Sequence, residues 1–274
     1  MSSPLDILAS WPDVAAAGVG LRTRGLVEAA GPDRQPFPWA SVTKLLTALA
    51  VWIAVEEGTV AWDDPVGPPG ATVAHLLAHA SGVAPDNDTV LATPGSRRIY
   101  SNRGFELLAE HLVDRAQMPF DDYVEVAITE PLGLVATSVD GSPAAGASGP
   151  LVDLMKLGSE LLSPTLVSIE TAALATSVAF PGLSGVLPGF GRQEPNDWGL
   201  GVEIRDDKNP HWTGRRNSPK TFGHFGQSGS FLWVDPVAGI VLGFLGPRPF
   251  GPWAAEAWPV LSDGVIGAYS ETRT

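Results

Sequence analysis

Apolar and polar positions alternate along this chain in three textures. From 15 to 31, "AAAGVGLRTRGLVEAAG" sets short apolar runs on either side of Arg24–Gly25, which predicts a two-stranded hairpin. A Pro-rich loop, "GPDRQPFPW", leads into Ala40 to Glu57. That run is apolar nearly all round, opens on Ser41 and stops at Gly58, the pattern of a central buried helix. Helical periodicity then dominates. "TVAHLLAHA" predicts a shorter helix ended by Ser81–Gly82, and "GFELLAEHLVDRA" and "FDDYVEVAITEPLG" predict amphipathic helices. "LVDLMKLGSELL" and "SIETAALAT" predict two more, separated from their neighbours by a flexible loop over 140–150 and a long Gly/Pro loop over 181–197. Past 197 the runs become strand-like: "WGLGVEI", "TFGHFG", "SGSFLWVDP" and "GIVLGFLG", with Asp235–Pro236 and Gly239 marking a hairpin. A short helix over Leu5 to Trp11 opens the chain, and "PWAAEAWPVLSDGVIGAY", interrupted near Pro259, closes it.

Strands at both ends flanking a helical middle predict an α/β (α+β) fold: a central antiparallel sheet flanked by helices, with an inserted helical subdomain. The expected organisation is one domain over 1–274, its sheet part drawn from 1–60 and 190–274 and its helical part from 61–189. With 274 residues, 44% of them hydrophobic and 17% charged, the chain is long enough for a substantial core and is not of disordered composition. A formal net charge of −13 argues against nucleic acid and anionic membrane as partners. There is no cysteine, so disulfides, thiolate catalysis and cysteine zinc sites are excluded. "MSSPLDILASWPDV" lacks a basic n-region, and the longest apolar run, Leu45 to Val55, is too short to span a bilayer. The reading is of a soluble, cytoplasmic protein whose oligomeric state the sequence leaves open.

Lys44, in the middle of that apolar helix, needs a reason to be there, since burying an ammonium is expensive unless it is paired or used. Ser41 stands three residues earlier, so the two share a helix face. Of four lysines, only Lys44 has a serine at that spacing. At a helix start the serine N–H has no intrahelical partner and can donate to an oxyanion, and a desolvated lysine can take the serine proton. A second cluster is "YSN": Tyr100 can share a proton with an amine, and Asn102 can hold a carbonyl or the lysine. The third is "GHFG", where His224, Phe225 and Gly226 lie in a strand that glycine opens to a substrate backbone, with the N–H of Gln227 as a second oxyanion donor.

In this order, S-x-x-K, Y-x-N and [KH]-x-G resemble the signature of the serine β-lactamase and penicillin-binding protein superfamily. The flanks "ASVTKLLTALAVWIAVEEGTVAWDDPV", "PGSRRIYSNRGFELLAEHLV" and "FGHFGQSGSFLWVDPVAGIVL" are similar to its class C β-lactamase-like branch, over about Trp39 to Phe244. That branch holds β-lactamases, D-alanyl-D-alanine carboxypeptidases, D-aminopeptidases and esterases. The resemblance implies a β-lactamase/transpeptidase-like fold and an acyl-enzyme mechanism. Ser41 would attack, Lys44 and Tyr100 would move protons, Ser41 and Gln227 would form the oxyanion hole, and Asn102, His224, Phe225 and Gly226 would bind the substrate. Whether Lys44 or Tyr100 is the principal base stays open. No cofactor or metal is expected, and the partner is a small acyl substrate.

One departure narrows the activity. Penicillin-recognising members carry K-T-G where this chain has His224-Phe225-Gly226, which supplies neither a fixed charge nor a hydroxyl for a substrate carboxylate. That favours an esterase on uncharged acyl esters or amides over a β-lactamase or D-Ala-directed peptidase; a ligand-binding homologue without catalysis is the remaining reading. Arg97, Arg98, Arg215 and Arg216 are alternative sources of the missing charge, and "KTFG" at 220–223 is a near-miss for the motif. His75 and His79 share a helix face but lack the H-E-x-x-H glutamate, so they read as structural. Ser228 in "GQSGS" fails the nucleophile-elbow pattern. Asp63–Asp64 and Asp121–Asp122 read as turn and cap residues. Trp198, Trp212 and Trp233 read as core first and as pocket walls second.

Overall fold

A computed structural model of the chain describes residues 3–270. Its centre is a six-stranded antiparallel sheet. β1 (Ala16–Leu21) and β2 (Gly25–Ala30) form the expected hairpin, closed where Gly25 adopts φ +65°. Five strands of two or three residues each build two smaller sheets: β3 (Phe37–Pro38), β4 (Ser138–Val139) and β5 (Ala147–Gly149) in one, β6 (Gly185–Leu187) and β7 (Gly191–Gln193) in the other. β8 (Glu203–Ile204), β9 (Phe222–Gly226), β10 (Ser230–Asp235) and β11 (Ile240–Leu245) complete the main sheet in the order β2-β1-β11-β10-β9-β8. The chain's first and last strands therefore meet at its middle, with Ala16 opposite Leu245 and Leu21 opposite Ile240.

The strands read as continuous apolar runs because both faces are covered. Period-two alternation divides them between two cores. Phe231, Trp233, Leu242 and Phe244 face the helix Pro252–Ser270 and the 3₁₀ turn Pro4–Ser10. Leu232, Val234, Val241 and Leu245 face the helices α1 (Thr43–Glu56) and Leu151–Leu162. The latter rides unusually low on the sheet: a Cβ on Gly158 would lie 2.5 Å from Val241 and 2.9 Å from Leu232. Although it falls within 61–189, this helix is thus part of the sheet's own packing. On the far side of α1 lie α2 (Val73–Leu77), α3 (Asn102–Ala116) and the run from 120 to 132, which is α-helical at each end and π-helical between. α1 is the buried central helix that its all-round apolarity predicts, with every residue from Thr43 to Ala54 buried.

Several local expectations change. The C-terminal helix is not interrupted at Pro259. Trp258, Leu261 and Val265 are buried against the sheet, and that packing outweighs one missing backbone hydrogen bond. The stretch 140–150 is not a flexible loop: Ala144 is fully buried and Ala147–Gly149 pairs with both β3 and β4. The Gly/Pro segment 181–197 contains the β6–β7 ribbon. "WGLGVEI" is a strand only at Glu203–Ile204, since Gly201 turns the chain at φ +98°. No helix among the described residues is long and apolar enough to cross a membrane.

Candidate active site

Three segments converge where the start of α1 meets the edge of the sheet. The first is the 3₁₀ turn Ala40–Val42, which feeds directly into α1. Ala40 sits at φ +45°, a conformation rare and strained for a residue with a side chain. Neighbouring strands hold it there. The Trp39 carbonyl accepts from Ser230 Oγ at 2.8 Å, the Trp39 N–H donates to Ala147 O at 2.9 Å, and its indole N–H donates to Gly149 O at 3.1 Å. Ser41 follows, half-buried.

One turn on, Lys44 is wholly buried. Its ammonium nitrogen lies 3.3 Å from Ser41 Oγ, 2.7 Å from Asn102 Oδ1 and 2.9 Å from Ala144 O, and 4.8 Å from the centre of the Tyr100 ring. Burial pulls its pKa from 10.5 down to about 7, against the opposing pull of Asp86 and Glu106. Near neutral pH this amine therefore carries a usable lone pair.

The second segment precedes α3. Ser101 caps that helix, accepting from Gly104 N–H at 2.9 Å and donating to Ala84 O at 2.7 Å. Its extended backbone directs Tyr100 and Asn102 to one side. Asn102 lies between a cation and a carboxylate, so its amide has one sensible orientation: Oδ1 towards Lys44 and Nδ2 donating to Asp86 at 2.9 Å. Burial raises the Tyr100 pKa above that of a free phenol, although contact with the Ser41 hydroxyl works the other way. Tyr100 is therefore a proton donor at neutral pH, and of the pair it is Lys44 that can accept.

β9 brings the third segment. His224 Nδ1 is 2.7 Å from the Phe225 carbonyl, which can only accept, so this nitrogen carries the proton. Nε2 then turns its lone pair to the Tyr100 hydroxyl at 3.4 Å. Burial, reinforced by Lys44, drives the His224 pKa down to about 3, and the ring is neutral.

Ser41, Tyr100, Asn102, His224, Phe225 and Gln227 line one cavity of about 360 Å³, with Lys44 directly behind Ser41. Gly226 does not line it. A Cβ there would lie 2.3 Å from Trp39 O, so the glycine serves the close approach of β9 to the Ser41 turn rather than contact with a substrate. Of the tryptophans, Trp198 is a cavity wall, while Trp212 and Trp233 are core. His79 packs 4.6 Å beneath the Tyr100 ring and accepts from Ser101 N–H at 3.2 Å, a structural use. His75 stacks on Phe180. No cluster of metal-ligating side chains occurs among the described residues. Ser228 donates to Pro38 O, and Lys220 is exposed ahead of β9.

The alternative arginines do not reach the cavity. Arg98 is spent on the carbonyls of Ala78, Ala179, Phe180 and Asn196. Arg216 lies against Asp263 and Gly267 of the C-terminal helix, with Arg215 exposed beside it. Two carboxylates line the cavity instead. Asp86, at its mouth, sits in a loop with no motif to betray it. Glu203 is buried, bonded to Lys208, to His211 at 2.9 Å and to Trp212 at 3.0 Å. Its burial would raise its pKa, but His211 and Lys208 together hold it below the usual carboxylate range.

Comparison with known proteins agrees with this architecture. A family model described as Beta-lactamase matches residues 14–262. The crystal structure of a beta-lactamase from Mycobacterium bovis is 51% identical, with a TM-score of 0.96 over 98% of this chain and 100% of that one. EstCE1, described as a hydrolase with promiscuous acyltransferase activity, shares the fold at 17% identity (TM-score 0.77, 96% of each chain). Among curated proteins, the Escherichia coli D-alanyl-D-alanine-carboxypeptidase/endopeptidase AmpH is 29% identical over 38% of this chain and 37% of its own length. The alignment thus spans little more than a third of that relative.

Proposed function

Given that the chain belongs to the beta-lactamase family, we propose that it is a serine hydrolase of esterase type, acting through an acyl-enzyme on esters or amides whose acyl group is uncharged. In this reading Ser41 Oγ attacks the carbonyl carbon while Lys44 takes its proton, and the backbone N–H groups of Ser41 and Gln227 receive the oxyanion. The acyl–oxygen bond of the substrate breaks as the Oγ–acyl bond stands, and Tyr100, replenished from Lys44, protonates the departing oxygen. Water then attacks the acyl carbon and gives a proton to Lys44, which returns it to Ser41 Oγ as the acyl–Oγ bond breaks and the acid leaves.

The observation that carries the esterase reading is the charge of the cavity wall. The lining residues include no lysine or arginine; Asp86 stands at the mouth, Glu203 is neutralised by Lys208, and Leu187, Trp198 and Phe225 make the rest apolar. A substrate carboxylate next to the scissile carbonyl would find no cationic partner in this wall, and Asp86 at the mouth would oppose it. The name of the Mycobacterium bovis relative supports a second reading, β-lactam hydrolysis, and that of AmpH supports D-Ala-directed peptidase activity.

A fluorophosphonate probe followed by intact-mass spectrometry tests the mechanism: one adduct is expected, on Ser41, absent in Ser41→Ala. Rates on p-nitrophenyl esters and on a chromogenic cephalosporin then separate the two readings. Faster turnover of the cephalosporin would defeat the esterase reading, and no adduct under any condition would favour a ligand-binding homologue.

A further inference from the structure

A second depression adjoins the candidate catalytic cavity. It has a volume of about 490 Å³ and shares Pro85, Tyr100 and Pro188 with it. One wall is the β6–β7 ribbon, in which Val186 stands directly opposite Arg192 on one face. Leu187 and Phe190 anchor the ribbon in the aromatic core. Arg98 N–H also ties it to the opposite wall through Ser184 O at 2.9 Å. Gly185 permits this closeness, since a Cβ there would lie 2.5 Å from Arg98 Cβ. The opposite wall repeats the same pairing: Leu91 next to Arg97, whose guanidinium donates to Leu91 O at 3.1 Å.

Each wall thus offers one exposed apolar side chain and one exposed guanidinium. Leu91 is 47% and Val186 60% exposed, so both apolar side chains are open to a ligand. Charge makes the place more unusual. The chain has 30 acidic against 17 basic residues, yet no carboxylate lines this groove. Arg98 is consumed by carbonyls and Arg192 is partly engaged by Glu194, which leaves Arg97 and the outer edge of Arg192 for a ligand.

We propose that this groove is a subsite for the anionic, amphipathic half of the substrate, whose acid group meets Arg97 and Arg192 and whose apolar stem lies on Leu91 and Val186. The assignment of that half rests on the acyl-enzyme reading above. Of the three residues that line both cavities, Tyr100 is the one with a proton to give to the departing oxygen, so the leaving group runs from Tyr100 into the groove. The uncharged acyl group stays in the arginine-free cavity beside Ser41. The substrate class is therefore an acyl ester of an alcohol that carries a carboxylate or a phosphate beyond a short hydrocarbon stem.

Three acetate esters with the same stem test this: acetoxyhexanoate, acetoxyhexyl phosphate and the neutral methyl acetoxyhexanoate. The anionic esters are expected to show kcat/KM about tenfold above the neutral one, and the larger of the two ratios tells carboxylate from phosphate. The ratio should fall to about one in Arg97→Gln/Arg192→Gln, and should shrink as salt rises from about 0.05 to about 0.5 M. A ratio of one in the wild type, or one that survives the double substitution, overturns the subsite. Binding is read separately, by calorimetry of octanoate and octyl phosphate on Ser41→Ala: binding that is lost on adding Arg97→Gln/Arg192→Gln supports the groove, and no binding, or binding that persists, refutes it. Binding without turnover of any ester would sink the hydrolase reading and leave the subsite standing.

Discussion

Replacing Lys44 by methionine should abolish activity and yet stabilise the fold below neutral pH. The side chains are similar in volume, so packing around α1 is largely kept. What changes is the cost of a buried amine. The gap between a pKa of 10.5 and one of about 7 corresponds to about 5 kcal/mol by which folding penalises the ammonium form. The sign follows from proton binding: between those values the unfolded chain holds the lysine proton and the folded chain has released it. Wild-type stability therefore rises with pH across this window, by about 1.4 kcal/mol per pH unit from this group alone. The penalty is fully present below about pH 7 and gone above 10.5. Against it stand three lost hydrogen bonds. Water in the cavity can replace those to Ser41 and Asn102, and the orphaned Ala144 carbonyl costs about 1–3 kcal/mol. Lys44→Met should thus gain a few kcal/mol near pH 6, with the advantage shrinking by about 2–3 kcal/mol between about pH 7 and pH 9. Urea unfolding of both proteins across that range, compared as a difference, isolates Lys44 from other titrating groups. Stability curves that run parallel would refute a depressed lysine and, with it, the proton acceptor assigned to Ser41.

Tyr100→Phe should lower kcat by about a hundredfold or more with little change in urea midpoint, because the hydroxyl's bond to His224 is long at 3.4 Å; an unchanged kcat would remove Tyr100 from the proton path. Asp86→Asn keeps an acceptor for Asn102 but removes a charge that raises the Lys44 pKa, so the acidic limb of the kcat/KM profile should move to lower pH. A limb that stays in place would show that Asp86 does not act on Lys44. Glu203→Gln should destabilise the fold by about 3–5 kcal/mol, since it leaves Lys208 buried without its carboxylate; a loss below about 1 kcal/mol in denaturant unfolding would mean that the ammonium finds water or sheds its proton.

Much of the architecture was legible because burial leaves a direct mark on composition. A helix buried on every side must be apolar on every side, and α1 is; strands covered on both faces must be apolar at consecutive positions, and β10 and β11 are. The gathering of Ser41, Lys44, Tyr100, Asn102 and His224 around one cavity was legible for a different reason: each belongs to a short motif whose side chains need their neighbours in sequence. What escaped notice lacks such a mark. The Ala144 carbonyl is a backbone acceptor, and no residue type announces one. Asp86 stands in "APDND", indistinguishable in sequence from any solvated turn. Glu203 looks like a solvent-facing residue of a strand, and only the fold brings Lys208 and His211 round to neutralise and cap it. Gly226 shows the converse: glycine in a strand signals a close approach but not by what, and here the approaching group is Trp39 O. The same distinction bears on specificity. The motifs concern proton transfer, which needs fixed partners at fixed spacing, while substrate choice is set by the charges that the fold assembles around them. The cavity has Asp86 at its mouth and no lysine or arginine in its lining, while arginines line the groove next to it. On the proposed esterase reading, that polarity of the surroundings, unseen in any motif, would favour an ester with an anionic leaving group over a β-lactam, whose carboxylate would have to sit beside the attacked carbonyl.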